Sequence, residues 1–168
     1  GPVVGTVMSN LGLEQSLQAD GIPFLRAAVG DRYVLAMLRE HGGVLGGETS
    51  GHLLCLDRTT TGDGLVSALQ VLAVMKRTGR PLAELTAGMP QFPQVMVNVR
   101  VRERIDPRQS PAIQAAVRRV EAALGRTGRV VLRASGTEPL IRVMVEGEDE
   151  AVVTRHANEL AETVRQSV

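Results

Sequence analysis

Hydrophobic positions change period several times along the first half of the chain. Residues 3–8 form a short apolar run with β-branched side chains, which predicts a strand. Ser9-Asn10 then offers a cap for a helix reaching about Ala19. Asp20-Gly21 is a turn signal, and residues 22–25 read as a second strand. Gly30-Asp31 opens a helix whose Val34, Met37 and Leu38 share one face, and His41-Gly42-Gly43 ends it. Residues 44–48 and 52–56 read as short strands around a glycine-rich loop, and residues 59–64 as a polar turn. Leu65, Leu69, Leu72 and Met75 recur at helical spacing before Gly79, with Pro81 beyond. Strand and helix alternate, so residues 1–88 are expected to form an α/β domain with a mixed, mainly parallel sheet.

The pattern changes after Gly88-Met89-Pro90-Gln91-Phe92-Pro93, where two prolines within four residues mark a boundary. Val95, Val97, Val99 and Val101 alternate with Met96, Asn98, Arg100 and Arg102, the signature of a half-buried strand. Pro111 opens a helix with Ile113, Val117, Val120 and Leu124 on one face. Residues 129–133 and 140–146 read as strands separated by a compact loop, and a last helix carries Val153, Ala157, Leu160 and Val164. Residues 94–168 are therefore expected to be a small α+β domain with helices packed on one sheet face.

Composition narrows the function classes. Nineteen Lys and Arg balance 18 Asp and Glu, for a net charge of +1. That argues against a dedicated duplex-binding protein, which carries a clear basic excess. One tyrosine, two phenylalanines and no tryptophan leave too few rings for base stacking or for an aromatic sugar platform. Neither a nucleic acid nor a membrane is an expected partner, and no apolar stretch is long enough to span a bilayer. His41, His52, His156 and Cys55 show no zinc spacing. A single cysteine and the lack of a signal-peptide pattern fit a cytoplasmic protein. Gly1-Pro2 ahead of a strand reads as a cleavage scar on an excised piece.

Two loops carry candidate chemistry. The second-half loop reads Arg133-Ala134-Ser135-Gly136-Thr137-Glu138-Pro139, with Arg142 in the strand after it. Ser135 and Thr137 flank a glycine that lets backbone N–H groups approach a ligand. Arg133 and Arg142 bracket them, and guanidinium forks match phosphate oxygens. Taken alone, the loop fits an ordinary Ser-Gly-Thr turn equally well. The first-half loop, Gly46-Gly47-Glu48-Thr49-Ser50-Gly51-His52, puts a carboxylate, two hydroxyls and an imidazole within five residues. Glu48 and Ser50 can bind vicinal hydroxyls, and His52 can supply a proton or touch a phosphate. Taken alone, this segment also fits a plain hairpin turn.

Together and in this order, the loops make the chain resemble the α-D-phosphohexomutase family. Residues 48–52 are similar to its sugar-binding loop, and residues 133–139 with Ile141-Arg142 to its phosphate-binding loop. Residues 4–14, 29–34 and 59–64 resemble the branch that acts on glucosamine phosphates. The resemblance covers the family's third and fourth domains. It implies that Glu48 and Ser50 bind sugar hydroxyls and His52 makes a proton or phosphate contact, while Arg133, Ser135, Gly136, Thr137 and Arg142 bind the phosphate of a hexosamine phosphate. It also implies that the nucleophilic serine and a magnesium loop belong to N-terminal domains missing here. None of Ser9, Ser16, Ser50, Ser67, Ser110, Ser135 and Ser167 precedes a histidine, and Asp63 has no second aspartate beside it. No catalytic residue and no metal ligand are thus expected in this chain, with Mg²⁺ confined to the whole enzyme. A fragment of a phosphomannomutase or phosphoglucomutase, or a non-catalytic sugar-phosphate-binding module, would carry the same two loops.

Overall fold

The computed structural model describes residues 1–102, 106–136 and 138–167. The chain divides into two compact units, Gly1–Gln91 and Phe92–Val168, and each builds its own sheet.

The first unit contains strands β1 (Val3–Thr6), β2 (Phe24–Ala27), β3 (Leu45–Gly47) and β4 (Leu53–Cys55). They lie in the order β2-β1-β3-β4. β1 runs parallel to β2 and β3, and β4 pairs antiparallel with β3. The expected mixed, mainly parallel sheet is therefore present. Helices α1 (Leu11–Ala19), α2 (Asp31–His41), α3 (Gly64–Thr78) and α4 (Leu82–Thr86) complete the unit.

Local hydrogen bonds explain where elements depart from the periodic pattern. β1 ends at Thr6 rather than residue 8, because Thr6 N–H donates to Ser9 Oγ and Ser9 N–H returns to Thr6 O. Asn10 Oδ1 then caps α1 by accepting the Gly12 N–H at 3.0 Å. β2 begins two residues later than expected. The Ile22 N–H is taken by Leu17 O, Pro23 has no N–H, and pairing starts when Pro23 O accepts the Val3 N–H.

α2 covers one face of this sheet. Val34 and Leu38 are fully buried against Val4, Ala27 and Leu54. A Cβ on Gly46 would lie 2.7 Å from Val34 Cγ1 and 2.8 Å from Val4 O, so only glycine lets the helix sit this close. The alternate residues Val3, Gly5, Leu45, Gly47, Leu53 and Cys55 point to the other face. α1 lies there, tied down by Arg26, which pairs with Glu14 at 2.7 Å and donates to the Thr6 and Ser9 carbonyls.

The α3 stripe does not behave as a core face. Leu65, Leu69 and Leu72 are 80%, 61% and 56% exposed, while Ser67, Gln70, Val71 and Val74 border the sheet's second face. Asp63 Oδ1 caps the helix by accepting the Leu65 and Val66 N–H groups. Both sets of positions have helical spacing, so periodicity could not say which one faced inward.

The second unit is an antiparallel sheet of β5 (Gln94–Arg100), β6 (Gly128–Ala134) and β7 (Leu140–Gly147), ordered β5-β7-β6. Helices α5 (Pro111–Leu124) and α6 (Glu150–Gln166) pack on one face. Ser110 and Asp149 cap them. The valines of β5 meet Ile141, Val143 and Val145 across β7 in register. Val153, Ala157, Leu160 and Val164 close this core from α6, each at most 1% exposed. On α5, Ala116 is buried beside Ile113, Val120 and Leu124, and Val117 lies at the margin. A short 3-10 turn at Pro107–Gln109 had no periodic signal; Asp106 Oδ1 caps it through the Arg108 N–H. No helix among the described residues is long and apolar enough to cross a membrane.

Candidate functional site

The loop between β3 and β4 is a tight hairpin connection. Glu48 N–H donates to His52 O at 3.1 Å, and Gly51 N–H returns to Glu48 O at 3.0 Å. Gly51 holds φ +94°, a conformation that L side chains rarely adopt. The turn brings Glu48, Ser50 and His52 together. His52 Nδ1 lies 3.2 Å from Ser50 Oγ and 3.4 Å from Glu48 Oε1. A carboxylate beside Nδ1 favours the tautomer with the proton there. Glu48 Oε2 accepts the Gly30 N–H at 3.2 Å, across from the start of α2. The Glu48 side chain is 10% exposed and that of His52 59%. The carboxylate is thus anchored while the imidazole and the Ser50 hydroxyl face solvent. This set can exchange its internal bonds for those of vicinal hydroxyls, because the Glu48 carboxylate accepts, the Ser50 hydroxyl donates or accepts, and both are already placed.

The strands β6 and β7 build the second candidate. Register sets Arg133 directly opposite Arg142, with Asn98 of β5 on Arg142's other side. All three lie on the sheet face away from α5 and α6, since their neighbours Ile141 and Val143 are fully buried against the helices. Two like charges opposite each other in a sheet repel. Nε of Arg133 and of Arg142 are both buried without a hydrogen-bond partner among the described residues. Burial first, and the Arg142 charge second, lower the pKa of the Arg133 guanidinium. An oxyanion placed between the two forks would relieve the repulsion and satisfy buried N–H donors together.

The connecting loop continues this arrangement. Ser135 is 6% exposed. Its N–H donates to Leu140 O at 2.8 Å, and its Oγ accepts the Glu138 N–H at 3.3 Å. A Cβ on Gly136 would meet nothing within 4 Å, so the backbone there faces open space. Thr137 lies outside the described residues.

Two contacts had no sequence signal. The Gly30 backbone donor to Glu48 comes from a helix start 18 residues away. Asn98 is set beside Arg142 only through strand register, although alternation had already set it off the core face. Arg32, beside Gly30, lies over the Tyr33 ring at 4.5 Å and donates to Tyr33 Oη at 2.6 Å. Among the described residues, no three His, Cys, Asp or Glu side chains converge where a cation could sit. These residues do not fit the magnesium site that the resemblance implies for a whole enzyme.

The family model described as phosphoglucomutase/phosphomannomutase, alpha/beta/alpha domain III, matches residues 1–92. The model for the C-terminal domain of the same family matches residues 96–163. The chain belongs to the phosphoglucomutase/phosphomannomutase family. It is a C-terminal part of a family member. The phosphoglucosamine mutase of Alkalilimnicola ehrlichii is 59% identical over 99% of the chain, and that of Methylococcus capsulatus 60% over 98%. The chain spans 37% of the length of each of these relatives. Among solved structures, N-acetylphosphoglucosamine mutase of Aspergillus fumigatus in complex with GlcNAc-6P and magnesium aligns with a TM-score of 0.84. The identity is 21%, over 99% of this chain and 38% of that one. A phosphoglucomutase/phosphomannomutase family protein from Burkholderia thailandensis aligns with a TM-score of 0.72 at 19% identity, over 99% of this chain and 37% of that one. At these identities the structures establish a shared fold.

Proposed function

We propose that this chain is the substrate-positioning part of a phosphoglucosamine mutase, which interconverts glucosamine 6-phosphate and glucosamine 1-phosphate. The observation that carries the reading is the Arg133–Arg142 pair, two residues facing each other in register whose buried Nε atoms have no hydrogen-bond partner among the described residues. The names of relatives near 60% identity support the amino-sugar branch.

In this reading each loop addresses one chemical group. Arg133 and Arg142, with the hydroxyls of Ser135 and Thr137 and the open backbone at Gly136, hold the phosphate that is not being transferred. Glu48 and Ser50 take ring hydroxyls, and His52 supplies a proton or a phosphate contact. A mutase must accept its substrate in two inverted orientations. Groups that read hydroxyls, separate from groups that read phosphate, tolerate that inversion. Their contribution is orientation, which supplies several kcal/mol of a barrier. The nucleophilic serine, which cycles through a phosphoserine and a bisphosphate intermediate, and the magnesium ligands are assigned to the remainder of the protein. The single cysteine supports a cytoplasmic setting.

Three observations test this. NMR titration of the 168-residue chain with glucosamine 6-phosphate should shift resonances of residues 133–142 and 48–52 and show no turnover on adding Mg²⁺. Turnover would overturn the assignment of the nucleophile to the remainder. A substrate panel on the whole protein should favour glucosamine phosphates. Preference for glucose or mannose phosphates would move the protein to another branch, and an upstream reading frame without serine and aspartate loops would make it a binding module.

A further inference from the structure

The row of side chains that holds Arg133 and Arg142 has a third member. Register sets Asn98 of β5 opposite Arg142 on one side, as it sets Arg133 of β6 on the other. Asn98 is exposed, and its amide makes no hydrogen bond among the described residues. Asparagine is depleted in strands, where β-branched residues fit the pleated surface. The inner face of β5 follows that rule with Val95, Val97 and Val99, so the amide does little for the strand itself.

Charge gives the amide a purpose. In the same sheet Glu146 stands opposite Arg129, and the two form an ion pair. A carboxylate at position 98 would likewise neutralise Arg142, and a cation would add to the repulsion between Arg142 and Arg133. A neutral amide does neither. It leaves Arg142 charged for an anion and still offers two N–H donors and a carbonyl acceptor.

We propose that Asn98 is a specificity residue, its amide hydrogen-bonding the sugar attached to the phosphate that Arg133 and Arg142 hold. The proposal rests on the reading of those two arginines as the phosphate site. A phosphate between them sits over β6 and β7, beside the loop that joins these strands, which leaves β5 as the other side of the same row. Neighbouring strands lie about 4.8 Å apart, so an amide on β5 reaches atoms next to the phosphate ester. Those atoms differ between the two isomers. In glucosamine 1-phosphate the carbon beside the ester carries an amine, a hydrogen-bond donor. In glucosamine 6-phosphate the nearest polar neighbour is the ring oxygen, an acceptor. The amide carbonyl takes the first and the amide N–H the second, so one side chain serves both orientations.

The experiment titrates the 168-residue chain with inorganic phosphate and with glucosamine 6-phosphate, by calorimetry and by NMR of the side-chain amides. At equal saturation the Asn98 Nδ2 resonances should shift more with the sugar phosphate than with phosphate. Asn98→Val keeps a strand-forming side chain. It should lower the affinity for glucosamine 6-phosphate about three- to tenfold, as the loss of one neutral hydrogen bond does, and that for inorganic phosphate less than about twofold. Asn98→Asp should weaken both ligands about tenfold or more, because its carboxylate pairs with Arg142. Circular dichroism checks the fold of each variant. The proposal is wrong if the Asn98 resonances respond alike to both ligands, or if Asn98→Val weakens both equally or neither. It is also wrong if Asn98→Asp leaves phosphate affinity intact, since position 98 would then stand too far from the anion. A chain that binds no phosphate, or whose phosphate affinity survives Arg142→Ala, overturns instead the reading of the arginine pair.

Discussion

The antiparallel sheet of the second unit holds an arginine that faces a carboxylate and two arginines that face each other. Arg129 on β6 meets Glu146 on β7 in register and forms an ion pair with a fully buried carboxylate. Four residues further along, Arg133 meets Arg142, another cation. The first pair is an internal structural device. The second holds unrelieved charge, which an anion can relieve. The first-unit loop differs again, because Glu48, Ser50 and His52 already bond to one another and to Gly30. A ligand there must replace existing bonds, so under the proposed function that loop would discriminate while the arginine pair would supply attraction.

The largest expected effect belongs to the buried pair. Glu146→Ala should destabilise the second unit by about 3–5 kcal/mol, since it leaves Arg129 without its carboxylate. Chemical denaturation measures this, and a loss under 1 kcal/mol would erase the contrast between the two arginine sites. Next comes Arg142→Ala, which should weaken binding of inorganic phosphate or glucosamine 6-phosphate about 10- to 100-fold, the worth of one charge-assisted hydrogen-bonding group at about 1.5–3 kcal/mol. Calorimetric titration reads it, and an unchanged affinity would remove the pair from the anion site.

Arg133→Gln sharpens the point. Without anion it should leave stability unchanged or raise it by up to about 1 kcal/mol, because it ends a like-charge facing pair. It should also abolish most of the thermal stabilisation that phosphate gives the parent chain. A marked fall in stability without phosphate would mean that Arg133 has a structural partner after all. The smallest effect is expected for Ser50→Ala. Its exposed hydroxyl contributes under about 1 kcal/mol to stability, and phosphate affinity should not move. Discrimination among sugar phosphates in the whole protein should change, which a competition assay would detect.

Much of this was legible in the residue string. Alternation along residues 95–99 announced which valines face the helices, because a strand has a strict two-residue period. It likewise set Arg142 off the buried face. The Ser-Gly-Thr loop and the Gly-Gly-Glu loop were visible as text, and the capping residue Asn10 lies where local hydrogen bonding needs it. The exposed leucines of α3 were not legible, because helical spacing marks a face without naming what covers it. The shifted start of β2 was hidden too, since it depends on an N–H captured by Leu17 and a proline that has none to give.

The sequence by itself therefore determined the elements, their inward faces where one face alone is apolar, and the chemical groups in each loop. These follow from local sterics and short-range periodicity. Only the tertiary structure decided that Arg133 faces Arg142, that Gly30 reaches Glu48, and that Asn98 stands beside Arg142. Each depends on strand register or on packing between segments far apart in the chain, where no local rule acts.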